Sequence, residues 1–229
     1  MKKIQHQFLV ALLGAVLAAS NIFGAALAVS DSPAQIAESI RAALVRAQLS
    51  LTSDPDESAR LVEEAEIAYQ RGLADSIMEA NPDAHLRITS AFEALRESIA
   101  RGDATSFAAA RAQAWTGILA GSYSIVEDAL QSGDGLTAQK WLPLREFRTA
   151  TRFSRPNVGA TVSVENFIAG DTSANDALLS VRADVLDTYQ ARLTESLQDL
   201  QKADENDFAF RRGELAALVE GYFFILLLA

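Results

Sequence analysis

Apolar residues recur at intervals of three and four along most of this chain, the pattern of helices that turn one stripe toward a core. Ile36, Ile40, Leu44, Ala47 and Leu51 carry the first stripe. Ser32 stands before it as an N-cap, with Pro33 at the first helical position and Gln35 where a capping box closes, so a helix is expected over Pro33–Leu51. Asp54-Pro55 repeats the start signal and predicts a second helix reaching Ala80, with Leu61, Ala65, Ala68 and Leu73 inward. Asn81-Pro82-Asp83 launches a third through Leu86, Phe92, Leu95 and Ile99. Arg101-Gly102-Asp103 reads as a tight helix–helix turn, the glycine closing one helix and the aspartate capping the next. A long Ala-rich helix over Ala104–Gln131 follows, carrying Phe107, Trp115, Ile118, Leu119 and Ile125.

Gly133-Asp134-Gly135 is the clearest break, and it divides a region 29–132 from a region 136–229. The second region is expected to hold an arginine-bearing helix, a loop at Ser154–Gly159, and a short helix over Thr161–Ala169 ended by Gly170. Asp171-Thr172-Ser173 then caps a long helix through Leu178, Val181, Val185, Tyr189, Leu193 and Leu197, and a last helix covers Phe208–Ala229. No run alternates with period two for long enough to build a sheet, and the β-branched Ala160–Val164 has no second strand to pair with. The expected fold is all-α: an up-and-down helical bundle, or two stacked helical subdomains. A weak internal echo relates Arg101–Arg111 to Lys202–Arg212, explained equally by duplication of a hairpin and by chance matching of caps.

The first 28 residues stand apart from this pattern. Lys2 and Lys3, the apolar run Phe8–Ala19, and Ala26-Leu27-Ala28 before polar Ser30-Asp31 have the layout of a signal peptide cleaved after Ala28. A retained anchor is the alternative reading of the same apolar stretch. The chain has 20 bases and 30 acids, a net charge of −10, and loses two of its bases with the leader. An exported protein this acidic is repelled by nucleic acid and by anionic lipid. It has no cysteine, which removes disulfides, thiolate catalysis, cysteine-ligated zinc and iron–sulfur clusters.

Enzymatic signatures are missing, so no catalytic residue is assigned. Beyond the leader His85 is the one histidine, expected at the surface, and no glycine-rich phosphate loop occurs. Carboxylates are the metal donors available in quantity, and Glu63 with Glu66 on one helix face is a weak candidate pair for a hard cation, against the commoner reading of a solvated face. The conspicuous feature is Trp141–Pro156, WLPLREFRTATRFSRP, which sets Arg145, Arg148, Arg152 and Arg155 around a single acid, Glu146. At about 100° per residue the four guanidinium groups fall within roughly 80° of one helix face. They are expected either to latch onto acids of a neighbouring helix, Asp184 and Asp187 in VRADVLDTYQARL, or to form an anion site. Pro143 within that stretch starts or kinks the helix. The apolar end Phe223–Ala229 reads as the buried end of a core helix or as the point where a longer chain was cut.

WLPLREFRTATRFSRP, with VRADVLDTYQARL after it and ARAQAW…GSY before it at Ala110–Tyr123, resembles the extracytoplasmic helical region that precedes the membrane part of bacterial high-affinity iron permeases. The resemblance covers about Ser90–Tyr222. It implies an exported accessory domain in iron uptake, binding iron or docking an iron-delivery partner, with a membrane iron permease domain as partner. That family's iron-conducting motif, Arg-Glu-Gly-Leu-Glu on a membrane helix, is not matched: Arg212-Gly213-Glu214-Leu215 has the letters in another order without the paired acids. A helical scaffold with no metal role and an anion-sensing bundle are the alternatives.

Overall fold

A computed structural model describes residues 31–147 and 159–228. Among the described residues there are nine helices and no strand: α1 (Pro33–Ser50), α2 (Pro55–Gly72), α3 (Ala74–Ala80), α4 (Pro82–Arg101), α5 (Ala104–Ser132), α6 (Gly135–Trp141), α7 (Gly159–Ala169), α8 (Ala174–Glu205) and α9 (Ala209–Leu226). The all-α expectation holds. The expected leader and the anchor alternative lie outside the described residues.

Local chemistry sets most of the boundaries. Ser32 and Gln35 form the capping box: Gln35 N donates to Ser32 Oγ at 3.3 Å and Ser32 N to Gln35 Oε1 at 2.8 Å. Asp54, Asn81, Asp103, Asp134 and Ser173 each accept from a backbone N–H of the first turn that follows. Gly102 at φ 64° and Gly133 at φ 83° close α4 and α5 in the left-handed conformation that costs glycine least.

The helix expected to run from Pro55 to Ala80 is two helices, broken at Leu73, whose φ of −130° leaves the helical range. The break lies beside a close approach of α2 to the Ile36 side chain of α1. A Cβ on Gly72 would stand 2.6 Å from Ile36 Cδ1, so only glycine fits there without displacing that side chain. Leu86 and Leu197, expected inward, are exposed. The buried line of α4 is Ala84, Ile88, Ala91 and Leu95, and Leu86 sits about 200° around the helix from Ala84. Ala160 and Val164, one turn apart, are the buried positions of α7, so the β-branched run serves a helix.

The bundle is centred on α5, which six of the other eight described helices touch. Its residues Thr116–Tyr123 are all buried, as a helix enclosed on every side must be. Helices α4 and α9 pack most extensively on it, with α3, α6, α8 and α1 also against it; α2 pairs with α1, and α7 and α9 pair with α8. Residues 32–229 cluster as one compact unit, within which Gly133–Gly135 is an internal turn. Arg182 Nε of α8 donates to Glu127 Oε1 of α5 at 2.6 Å, and the Tyr123 hydroxyl donates to the same oxygen at 2.6 Å, so a buried carboxylate helps fix α8 to the centre. At the C-terminal end Tyr222 and Ile225 are buried while Phe223 and Leu227 are exposed, so the apolar run there is only half covered among the described residues. The internal echo has no structural counterpart: Phe107 is fully buried and Asp103 caps α5, whereas Phe208 is exposed and Asp204 lies inside α8.

Glycines let α5 meet its neighbours closely. A Cβ on Gly121 would stand 2.6 Å from Ile77 Cγ2 of α3, and one on Gly117 would stand 2.7 Å from Ile88 Cγ1 of α4. Helix propensity alone would reward replacing Gly121, by about 1 kcal/mol for alanine. Overpacking should dominate for a larger side chain. Gly121→Val is expected to lower the unfolding free energy by about 3 kcal/mol, seen as a lower urea midpoint at unchanged slope. A midpoint equal to or above wild type would show that α3 and α5 are not in contact there.

Candidate functional site

The expected arginine-bearing helix does not form over the described part of its stretch. α6 ends at Trp141, and residues 142–147 run as a turn and irregular chain. The physical reason is Pro143, which has no N–H to return to residue 139 and so cannot extend the helix. Leu144 N instead turns back to Trp141 O at 2.9 Å. Arg148, Arg152 and Arg155 lie outside the described residues.

What this segment presents first is its acid. Glu146 Oε1 accepts from Trp115 Nε1 of α5 at 2.9 Å and from the Tyr222 hydroxyl of α9 at 3.2 Å. Arg192 of α8 has Nη2 3.8 Å from Glu146 Oε2, and the same Nη2 donates to the Phe147 carbonyl at 2.9 Å. Three helices therefore converge on two consecutive residues of an irregular segment. Tyr222 also stacks on Tyr189, with ring centroids 6.0 Å apart. Trp115 lies within a stretch that carried the family resemblance and Tyr222 at the end of the region it covered, yet nothing in local spacing pairs them with an acid 31 and 76 residues away.

Arg145 is 9% exposed and meets neutral oxygens: Nη1 donates to the Leu142 carbonyl at 2.7 Å, and Nη2 to Thr161 Oγ1 of α7 at 3.0 Å. Its guanidinium stands 4.7 Å from the Phe147 ring centroid. Burial lowers its pKa, partly offset by the negative charge of Asp184. Asp184 is half-buried on α8, and its Oδ2 accepts from Ala160 N, at the start of α7, at 2.8 Å. Asp187 lies one turn further along α8 and is exposed. The structure thus brings Arg145, Asp184 and α7 into one neighbourhood and sends Glu146 to another.

Of the weak metal candidates, Glu63 is exposed and Glu66 is ion-paired with Arg96 of α4. Among the described residues no group of three or more histidines and acids is arranged to hold a metal ion. His85, expected at the surface, is half-buried with Nδ1 2.8 Å from the hydroxyl of the fully buried Tyr69.

A concavity opens beside Glu146. Helices α1 and α9 both lie on α5 without close backbone contact between them, and a cavity of about 190 Å³ occupies the gap. Ile40 and Leu44 of α1, Ile118 of α5 and Leu218 of α9 give it apolar walls. Arg41, Arg111, Glu146 and Glu214 supply its charge, with the Trp115 and Tyr222 rings between. Arg111 spans the gap: Nε donates to Gln48 Oε1 of α1 at 2.7 Å, and Nη2 pairs with Glu214 Oε1 of α9. Glu214 is held on its other oxygen by Arg211 Nη1 at 2.6 Å. Sequence reasoning met Glu214 only as a letter in a rearranged motif and Arg111 only as a position of the internal echo and of the ARAQAW stretch, and it did not single out Arg41.

Fold and site together define an all-helical domain built around one enclosed helix, with a small polar-rimmed cleft on its flank. The model of a protein family described as the iron permease FTR1 N-terminal domain matches residues 30–229. The chain belongs to that family. The match spans α1 through α9 and therefore extends to the first three helices, beyond the region the resemblance covered. Comparisons with curated proteins and with solved structures find no match.

All four tyrosines of the chain, Tyr69, Tyr123, Tyr189 and Tyr222, are buried, and burial pushes each hydroxyl above its ordinary pKa of 10.0. Glu127 adds to the effect at Tyr123 and Glu146 at Tyr222. A pKa raised on folding contributes stability that is complete below the unfolded value and lost as pH climbs past it. Stability should therefore fall as pH rises above about 10. Phenolate absorbance is expected to appear together with loss of helical circular dichroism. A tyrosine that titrates near pH 10 in the still-helical protein would contradict this burial.

Proposed function

We propose that this chain is the extracytoplasmic helical module of an iron-uptake permease and acts by contact with the membrane part that conducts iron. The observation that carries the reading is the family match over residues 30–229, which covers every described helix. Export is supported by the leader layout of residues 1–28, which ends two positions before the match begins. Among the described residues no helix is long and apolar enough to cross a membrane, so in this reading the iron path belongs to the partner. Docking is favoured over chelation within the bundle because its buried or half-buried carboxylates already have donors. Glu127 is held by Arg182 and Tyr123, Glu146 by Trp115 and Tyr222, Glu214 by Arg111 and Arg211, and Glu66 by Arg96. At Glu127, Glu214 and Glu66 a guest cation would have to displace a guanidinium from a charge-assisted pair, and at Glu146 it would compete with the indole and phenol donors. No catalytic step is assigned.

Removing the segment that encodes residues 33–228 from the host is expected to reduce radioiron uptake under iron limitation several-fold while magnesium uptake stays unchanged. Unaltered iron uptake would refute the role. In the purified chain, Fe³⁺ and Fe²⁺ are expected to leave the thermal midpoint where it is. A rise that grows with metal concentration would replace docking by direct iron binding, because a ligand of the native state stabilises it by mass action.

A further inference from the structure

The cleft between α1 and α9 has no part in that reading, and its chemistry is specific. We propose that it binds a small carboxylate with an apolar body, the carboxylate held by Arg111 and Arg41 and the body lying on Ile40, Leu44, Ile118 and Leu218.

Spare hydrogen-bonding capacity decides the sign of the guest. Two guanidinium groups, Arg41 and Arg111, and two carboxylates, Glu146 and Glu214, line the cleft, so its formal charges balance in a chain whose net charge is −10. The acids are the committed partners. Both oxygens of Glu38 are taken by Arg41, both oxygens of Glu214 by Arg111 and Arg211, and Glu146 Oε1 by two donors at once. A cationic guest finds both oxygens of Glu38 and of Glu214 already answered, and of these three acids Glu146 alone has an oxygen, Oε2, met by no donor closer than Arg192 at 3.8 Å.

The bases keep capacity in reserve. Arg111 uses Nε and Nη2, and Arg41 uses Nε and Nη2, so that Nη1 of each carries no hydrogen bond among the described residues. Arg111 is also pre-positioned, since its guanidinium is held at Nε by Gln48 and at Nη2 by Glu214. A guanidinium held in one plane loses little further freedom on binding a planar carboxylate. Arg41 stands 5.8 Å from the Trp115 ring centroid, which places the second cation beside an aromatic wall of the same cleft.

Size sets the class. The cavity of about 190 Å³ lies below the roughly 300–1,000 Å³ of pockets for drug-sized ligands and far above the 10–15 Å³ needed by one water. A compact metabolite fits it, while a peptide or a lipid does not.

Trp115 lines the cleft, so its fluorescence reports the guest directly. The purified full chain is titrated with phenylacetate and hexanoate as carboxylate probes, with phenylacetamide as the neutral control and phenethylamine as the cationic one. A saturable fluorescence change with at least one carboxylate and a weaker or absent response to both controls is expected. Arg111→Gln and Arg41→Gln should each weaken that binding about tenfold or more, the effect of losing one charge-assisted hydrogen bond. Arg41 is half exposed, so its variant keeps the fold and the test survives if Arg111→Gln destabilises the bundle. Three results would overturn the proposal: no saturation by either carboxylate into the millimolar range in the folded wild type, equal or tighter binding of a control, or undiminished binding in Arg41→Gln.

Discussion

A carboxylate drawn out of bulk water must be met by donors of its own, and Glu146 is met by an indole, a phenol and a guanidinium from three different helices. That convergence holds the irregular chain after α6 against the bundle. The segment has no helical ladder of its own over residues 142–147, and its backbone is anchored by the Leu144 turn and by Arg192 on the Phe147 carbonyl. Neutral donors and one cation at 3.8 Å satisfy Glu146 without the tight pairing that immobilises Glu214. One side chain thereby defines where α5, α8 and α9 stand relative to the loop, and forms one wall of the cleft.

The rest of the architecture follows from how closely α5 lets its neighbours approach. Gly117 and Gly121 admit Ile88 and Ile77, which seats α4 and α3 on one side. α9 lies along another side, and α1 touches α5 without reaching α9. The gap between α1 and α9 is therefore a product of packing on a shared central helix. Arg111, bridging Gln48 and Glu214, keeps it spanned by polar contacts. Burying charged groups seldom adds stability over apolar side chains of the same size. The ion pairs here read more readily as devices that fix positions than as the source of the fold's stability, which rests on the apolar core around α5.

How much of this was legible in the sequence depends on the range of the interaction. Caps act across two or three residues, so Ser32, Asp54, Asn81, Asp103 and Ser173 could be read directly and stand where expected. The all-α class and the helix count in the first half follow from the same local signals, apart from the break at Leu73. That break lies beside a contact between Gly72 and Ile36, a tertiary fact that periodicity does not carry. The arginine-rich stretch shows the opposite failure. Its spacing suits a helix, but Pro143 removes the ladder, and its acid rather than Arg145 reaches the helix carrying Trp115. Arg111 and Glu214 lie 103 residues apart, and no spacing rule links them. The family resemblance reached further than the residue-level reading because it rested on whole stretches, two of which contain Trp115 and Glu146.

The most direct test of this account is a double-mutant cycle between Glu146→Gln and Tyr222→Phe, with unfolding free energies from urea denaturation of both single variants and the double. If the carboxylate anchors the segment to α9 through that phenol, the two substitutions should be coupled by about 1–3 kcal/mol, the worth of a hydrogen bond to a charged group. Effects that add to within about 0.5 kcal/mol would mean the contact carries no energy, and Glu146 would not be the residue that organises this end of the bundle.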